Sequence, residues 1–310
     1  MRTLRFHEYG PPLEVARLDE AEIPIPGPGQ IRIAVQACGL NPADWALCDG
    51  LFAGALPRGI GLEVSGIVDA IGSGVTGVEV GDPVLGPTPF RGSTAGASDH
   101  AVLDRWFPRP PGLEPVAAAA LPLAVETAHH GLTGLGVPES ADGITVFVNG
   151  AGTTVGYAAV QMALGRGARV IASAGKTYAD ALRALGAQVT DYGEGMAQRV
   201  LELAGGRINL ALDTAPVSNS LPEVVRTVAK PADVLTVSDF AAAHQLGART
   251  QFSENTIHDP GRVLGDYARL AADGKFTVPI ARIFPLEDWR AAAELSLSGR
   301  SGGKPILRLA

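Results

Sequence analysis

The sequence predicts an α/β protein: a doubly wound parallel sheet joined to a β-rich domain. Three observations carry that reading. From about residue 143, unbroken apolar runs of strand length alternate with Ala/Leu-rich runs of helix length, the pattern of a parallel sheet covered on both faces. Up to about residue 113, short β-type runs are cut by Gly/Pro clusters. At 310 residues, 46% hydrophobic and 18% charged, the chain is core-forming and long enough for two domains.

In the first part, Gly/Pro clusters at 10–12, 24–29, 72–74 and 86–89 separate β-type runs at 30–36, 63–71, 82–86 and 100–103. Short strands with frequent turns suggest a compact barrel. The middle reads as strand 144–149, helix 154–165, strand 168–173, helix 178–185, strand 188–191 and helix 196–204. Strand 208–213, helix 221–228, strand 233–238 and a sixth strand over 247–252 follow. Six strands with five crossovers fit a doubly wound sheet. After residue 260 come a helix at 263–272, the run 275–280, a helix at 286–297 and a last strand at 304–309. These pieces are too few for a third domain and are expected to complete the first. The expected division is 1–122 with 265–310, and 123–264.

Composition excludes several classes. With 25 basic against 32 acidic side chains and a net charge of −7, the chain is a poor binder of phosphate backbones, so no nucleic-acid partner is expected. The two cysteines, Cys38 and Cys48, form neither a zinc-ligand spacing nor a disulfide framework. Cys38 reads as a small buried hydrophobe. The start lacks the apolar stretch of a signal peptide, and the longest apolar run, 116–125, contains Pro122 and is too short to span a bilayer. A cytoplasmic protein with no membrane partner and a small-molecule substrate is expected. Glu126 and His130 share a helix face, but adjacent His129 points elsewhere and no third ligand is evident, so no metal is expected.

The strongest chemical signal is Val148-Asn149-Gly150-Ala151-Gly152-Thr153-Thr154-Val155-Gly156, between a predicted strand and a predicted helix. Small residues let backbone N–H groups approach a pyrophosphate, and the helix N-terminus adds positive potential. Thr153 and Thr154 stand where glycines are common. A dinucleotide fold preferring NAD usually places an acid about 20 residues further on. That stretch here is Ser173-Ala174-Gly175-Lys176-Thr177-Tyr178, with no carboxylate and a lysine instead. An acid would repel a 2′-phosphate, so its absence favours NADPH, with Lys176 as the phosphate's partner. Tyr192, just past the third strand, is expected to close over the same phosphate. The rival reading of Lys176 is a solvated surface charge.

A third segment, Ala37-Cys38-Gly39-Leu40-Asn41-Pro42-Ala43-Asp44-Trp45, is followed by Gly61-Leu62-Glu63-Val64-Ser65-Gly66. This order, with the later Gly-rich loop, resembles the medium-chain dehydrogenase/reductase superfamily. Asn41 stands where its zinc alcohol dehydrogenases carry a cysteine, and Leu62 where they carry a histidine; neither residue is a zinc ligand. The pattern therefore resembles the zinc-independent quinone oxidoreductase (zeta-crystallin-like) branch. The likeness extends through 63–80, 118–123, Thr127, 150–161, 185–187, Asp213-Thr214 and Gly303-Lys304.

The resemblance implies a GroES-like barrel beside the dinucleotide-binding domain, with the active cleft between them. It implies that Asn41, Thr127 and Ser238 face the cofactor; the loop and strand-end patterns place Gly150, Ala151, Gly152, Thr153, Thr154, Val155, Ser173, Lys176 and Tyr192 there as well. Asn41, Trp45 and Leu62 are expected at the substrate pocket. Ala46 replaces the branch's usual tyrosine, so that pocket is reshaped. The implied activity is hydride transfer from NADPH to a quinone or an activated C=C bond. No catalytic acid or base stands out. The alternatives are an enoyl or enone reductase of secondary metabolism and a catalytically silent NADPH sensor. The resemblance also implies a homodimer paired through the sixth strand.

Overall fold

The computed structural model describes residues 1–250 and 260–309. The chain forms two compact units, one of Met1–Leu123 with Gly261–Ala310 and one of Ala124–Pro260.

The first unit is built on strands Ile31–Gly39 and Glu63–Ile71, paired antiparallel in register from Ile31↔Ile71 to Gly39↔Glu63. Pro83–Pro87 and Phe107–Pro108 extend the sheet on one side. Lys304–Arg308, antiparallel to Ile31–Gly39, extends it on the other, with Ile280–Pro285 parallel to it at the margin. His100–Leu103 also pairs with Ile31–Gly39. Arg2–Phe6 pairs with Ala16–Glu20 and Arg58–Gly59 in a separate three-stranded sheet. Alternation drives the long strand: Ile31, Ile33, Val35 and Ala37 point into the core, and Arg32, Ala34 and Gln36 are half-exposed. Strands Arg2–Phe6 and Ala16–Glu20 were not expected, because five residues with charges at two positions in the first and three in the second give only a short alternation signal.

The second unit contains six parallel strands in the order Gln188–Thr190, Arg169–Ser173, Thr145–Asn149, Leu210–Asp213, Val234–Thr236, Arg249–Thr250. This is the doubly wound order expected. Phe147, Ile171 and Ala211 from the sheet pack with Met196, Val200, Leu221 and Val224 from the helices. The chain order reverses between the strands Thr145–Asn149 and Leu210–Asp213, which puts ligand binding at their carboxyl ends.

Three expectations need adjustment. The sixth strand is Arg249–Thr250; Gly247, with φ 72°, is the left-handed cap of a helix, Phe240–Leu246, and residues 251–252 lie outside the described residues. That helix is capped by Asp239, whose side chain accepts from the Ala242 N–H at 3.1 Å. Its three alanines gave no amphipathic pattern. The helix expected at 178–185 runs Lys176–Ala184 with Gly175 as N-cap. A lysine at a helix start opposes the macrodipole, which is why the sequence placed that start later.

Candidate functional site

The strand Thr145–Asn149 ends at Gly150, whose φ of 76° is left-handed. A Cβ there would lie 2.5 Å from the Ala215 nitrogen, so glycine is required twice over. The helix Thr154–Gly165 follows, with Thr153 as its cap: Thr153 Oγ1 accepts from the Gly156 N–H at 3.0 Å and donates to Thr214 Oγ1 at 3.2 Å. The threonine that departs from a glycine pattern thus ends the loop as a helix cap.

Several loop N–H groups are occupied. Gly150 donates to Ser173 Oγ, Ala151 to the Ser173 carbonyl and Thr153 to the Gly150 carbonyl. The N–H groups of Gly152, Thr154 and Val155 have no acceptor among the described residues. They lie at the start of a 12-residue helix, where orphan donors and the macrodipole together favour an anion. The loop therefore fits the pyrophosphate of a dinucleotide.

Beneath it, polar residues end neighbouring strands and bond sideways. Ser173 Oγ donates to Asn149 Oδ1 at 2.6 Å, and Asn149 Nδ2 donates to Asp213 Oδ1 at 2.7 Å. Thr236 Oγ1 donates to Asp213 Oδ2 at 2.7 Å and accepts from the Ser238 N–H at 3.2 Å. Ser238 Oγ donates to the Ala215 carbonyl. Asp213 is 2% exposed; burial raises its carboxyl, and the bonds from Thr236 and Asn149 pull it back. Ser173, expected to touch the cofactor, is fully buried, so its hydroxyl supports the loop from below. Asn149, Asp213 and Thr236 were not expected at the site; Asn149 and Asp213, each closing an apolar run, carried a signal, whereas Thr236 lies inside the expected strand 233–238.

At the end of Arg169–Ser173, where an acid would select NAD, stands buried Ala174. Gly175 then caps the helix, and exposed Lys176 begins it with no acidic residue in the first turn and no ionic partner among the described residues. The Tyr192 ring lies 3.4 Å from where a Gly175 Cβ would sit. Tyr178 stacks edge-on against Tyr157, centroids 5.7 Å apart, and flanks Gly152. The unit thus gathers Gly150 to Val155, Lys176, Tyr192 and Ser238 around the carboxyl ends of the parallel strands. Thr127 is half-buried on the helix Pro122–Gly134.

In the first unit, Pro42 opens the helix Pro42–Cys48 and Asn41 caps it. The Asn41 N–H donates to Asp44 Oδ2 at 2.8 Å and its Nδ2 to Glu63 Oε1 at 2.8 Å. Asp44 Oδ1 accepts from the Gly61 N–H. Full burial pushes Asp44 up to about 7, against the pull of its two N–H donors; the Glu63 charge adds to the rise and Lys304 opposes it. Glu63 Oε2 accepts from the Leu123 N–H, and Glu63 pairs with buried Lys304. Trp45 and Leu62, expected at a substrate pocket, are instead 1% and 2% exposed within the apolar core. One short helix turns Trp45 and Cys48, three residues apart, to the same inner side.

Cys38 and Cys48 are free and buried, and desolvation raises both thiols, Cys48 to about 12, so neither is a ready nucleophile. Among the described residues no group of three or more His, Cys, Asp or Glu is arranged to hold a metal ion. No described helix is long and apolar enough to cross a membrane.

Residues 27–106 match the alcohol dehydrogenase GroES-like domain, and residues 149–307 match the family described as zinc-binding dehydrogenase. The chain belongs to the medium-chain dehydrogenase/reductase superfamily. Its place there is the quinone oxidoreductase branch. The quinone oxidoreductase of Lama guanicoe is 33% identical over 56% of this chain and 53% of its own length. NorB, a spectinabilin polyketide synthase system protein of Streptomyces orinoci, is 30% identical over 96% of this chain but only 14% of its own length. The match thus spans less than two thirds of either relative. The quinone oxidoreductase of Coxiella burnetii superposes with a TM-score of 0.81 at 26% identity, covering 100% of this chain and 99% of that one. The β-rich unit is accordingly GroES-like, and the parallel sheet is the superfamily's nucleotide-binding half.

Proposed function

We propose that this chain is a zinc-independent oxidoreductase that uses NADPH to reduce a quinone or an activated C=C bond. The observation that carries the cofactor choice is Lys176. It is a cation with no ionic partner among the described residues, in the first turn of a helix, where cations are unfavourable unless an anion is bound. Ala174, in place of an acid, removes the repulsion a 2′-phosphate would meet. Tyr192 lies against Gly175, beside that phosphate's expected place.

The N–H groups of Gly152, Thr154 and Val155 would hold the pyrophosphate, and Lys176 with Tyr192 the 2′-phosphate. Asn41, Thr127 and Ser238 are assigned to the nicotinamide end by the family resemblance. Bound NADPH supplies the hydride, and the protein supplies placement and exclusion of water. Asn41 and Leu62 occupy the positions of zinc ligands, so the reading is metal-free. A quinone needs no protein acid, because its reduced oxygens take protons from solvent. The same reading makes the protein a cytoplasmic homodimer, paired through the sheet edge at Arg249–Thr250. Ala46 in place of tyrosine favours a substrate other than a simple quinone, so an enone is the second reading.

Calorimetric titration with NADPH and NADH tests the cofactor. Wild type should prefer NADPH by at least about tenfold, and Lys176→Ala should erase that preference while leaving NADH binding nearly unchanged. Equal loss for both cofactors would remove Lys176 from phosphate recognition. Turnover with quinone and enone panels separates the two substrate readings, and no turnover with either would leave a nucleotide sensor.

A further inference from the structure

We propose that Asp213 is a positioning residue for the anion cradle: its carboxylate sets the direction of the hydrogen bonds running from Asp213 through Asn149 and Ser173 to Gly150. This rests on the reading of that loop as a nucleotide site.

An ionised carboxylate only accepts hydrogen bonds. Asp213 Oδ1 therefore faces the Nδ2 of Asn149, not its oxygen. That leaves Asn149 Oδ1 turned to Ser173, whose hydroxyl proton is spent on it at 2.6 Å. The Ser173 oxygen then has only lone pairs to offer, and one receives the Gly150 N–H at 3.0 Å. Gly150 is the residue whose left-handed turn aims the free N–H groups of Gly152, Thr154 and Val155. On the other side, Asp213 Oδ2 takes the Thr236 hydroxyl proton. Thr236 Oγ1 can then accept from the N–H groups of Ser238 and Asp239, both at 3.2 Å. One charge thus orders the loops that follow two strands. A charge at 2% exposure is costly, and an apolar core would need none. Its retention here is explained by the direction it imposes.

The register supplies a specific test. Asp213 and Asn149 are directly opposed on adjacent parallel strands. Asp213→Asn alone sets amide against amide, so a donor is orphaned or Asn149 turns over and the chain of bonds reverses. Asn149→Asp alone sets carboxylate against carboxylate. The exchange Asn149→Asp with Asp213→Asn reverses the bond between positions 149 and 213 but keeps the Ser173 and Thr236 bonds in their wild-type direction. Ser173 and the amide introduced on the neighbouring strand both donate to the new carboxylate, and Thr236 donates to the oxygen of that amide. The 3.3 Å bond from the Ala215 N–H and the 3.0 Å bond from Asn149 Nδ2 to Ser220 Oγ are given up.

The experiment measures NADPH and NADH affinity by calorimetry, amide hydrogen exchange over 150–155 in the nucleotide-free protein, and melting temperature. Asp213→Asn should weaken both cofactors equally, by about thirtyfold, as one orphaned buried donor does, and should speed exchange at Gly150. The exchanged pair should bind both within about threefold of wild type and regain the Gly150 protection. Wild-type affinity in Asp213→Asn, or an exchanged pair no better than that single variant, overturns the proposal. Should Asp213→Asn fail to fold, Ser173→Ala carries the test, with the same equal loss and the same faster exchange expected. If wild type binds neither nucleotide, the functional reading fails, and Gly150 exchange in the variants still decides the role of Asp213.

Discussion

Glu63 and Lys304, 241 residues apart in the chain, meet as an ion pair that is 0% and 1% exposed in the first unit. Glu63 begins a central strand of the sheet and Lys304 begins the last strand, so the pair ties that strand to the sheet's centre. Lys304→Met would leave a buried carboxylate without its cation. The expected loss is about 3–5 kcal/mol in urea unfolding. A loss within about 1 kcal/mol would show the pair to be dispensable.

Asp44 gives a pH dependence of definite sign. Its carboxyl rises from 3.8 to about 7 in the folded chain, so folding favours its protonated form. The contribution to stability is full below about pH 4 and is lost as pH rises through about 7. Wild type measured against Asp44→Asn, which does not titrate, should lose relative stability over that window. A relative gain with rising pH would mean that the two N–H bonds to Asp44 outweigh its burial.

Gly150→Ala combines two faults, a left-handed φ and a Cβ 2.5 Å from backbone nitrogen. The left-handed conformation alone costs roughly 1–2 kcal/mol. Because the clash moves the loop, nucleotide affinity should fall more than stability does. Unchanged affinity in a destabilised variant would separate this loop from nucleotide binding.

Thr153→Ala tests the cap. Removing the oxygen that receives the Gly156 N–H should cost about 0.5–2 kcal/mol of stability. Thr153→Ser should keep most of it. If serine is as damaging as alanine, the methyl group and not the hydroxyl is what the site uses.

Much of the fold was legible because periodicity and punctuation agreed. The apolar run ending at Asn149, the glycines after it and the helix beyond all pointed to one strand–loop–helix unit, and the strand 63–71 carried its own turns. What was not legible has physical causes. Helix Phe240–Leu246 is alanine-rich and buries little, so it leaves no stripe. Lys176 hid a helix start because cations there are normally unfavourable. Trp45 was assigned to a pocket by position, and only the helix geometry shows that it faces the core. Asn149 and Asp213 were visible as polar residues ending apolar strand runs, whereas Thr236 lay inside the expected strand 233–238. Their joint role depends on the strand order, which puts the strand Leu210–Asp213 beside Thr145–Asn149 although 61 or more residues separate them along the chain.

Metal-free reduction by NADPH is open to a single decisive assay. Purified protein is dialysed against a strong chelator and mixed with NADPH and a panel of quinones and enones, and loss of the reduced nicotinamide is followed by absorbance. Turnover is expected with at least one acceptor, at the same rate before and after chelation, and markedly slower with NADH. Activity that disappears on chelation and returns with zinc would contradict metal-free reduction.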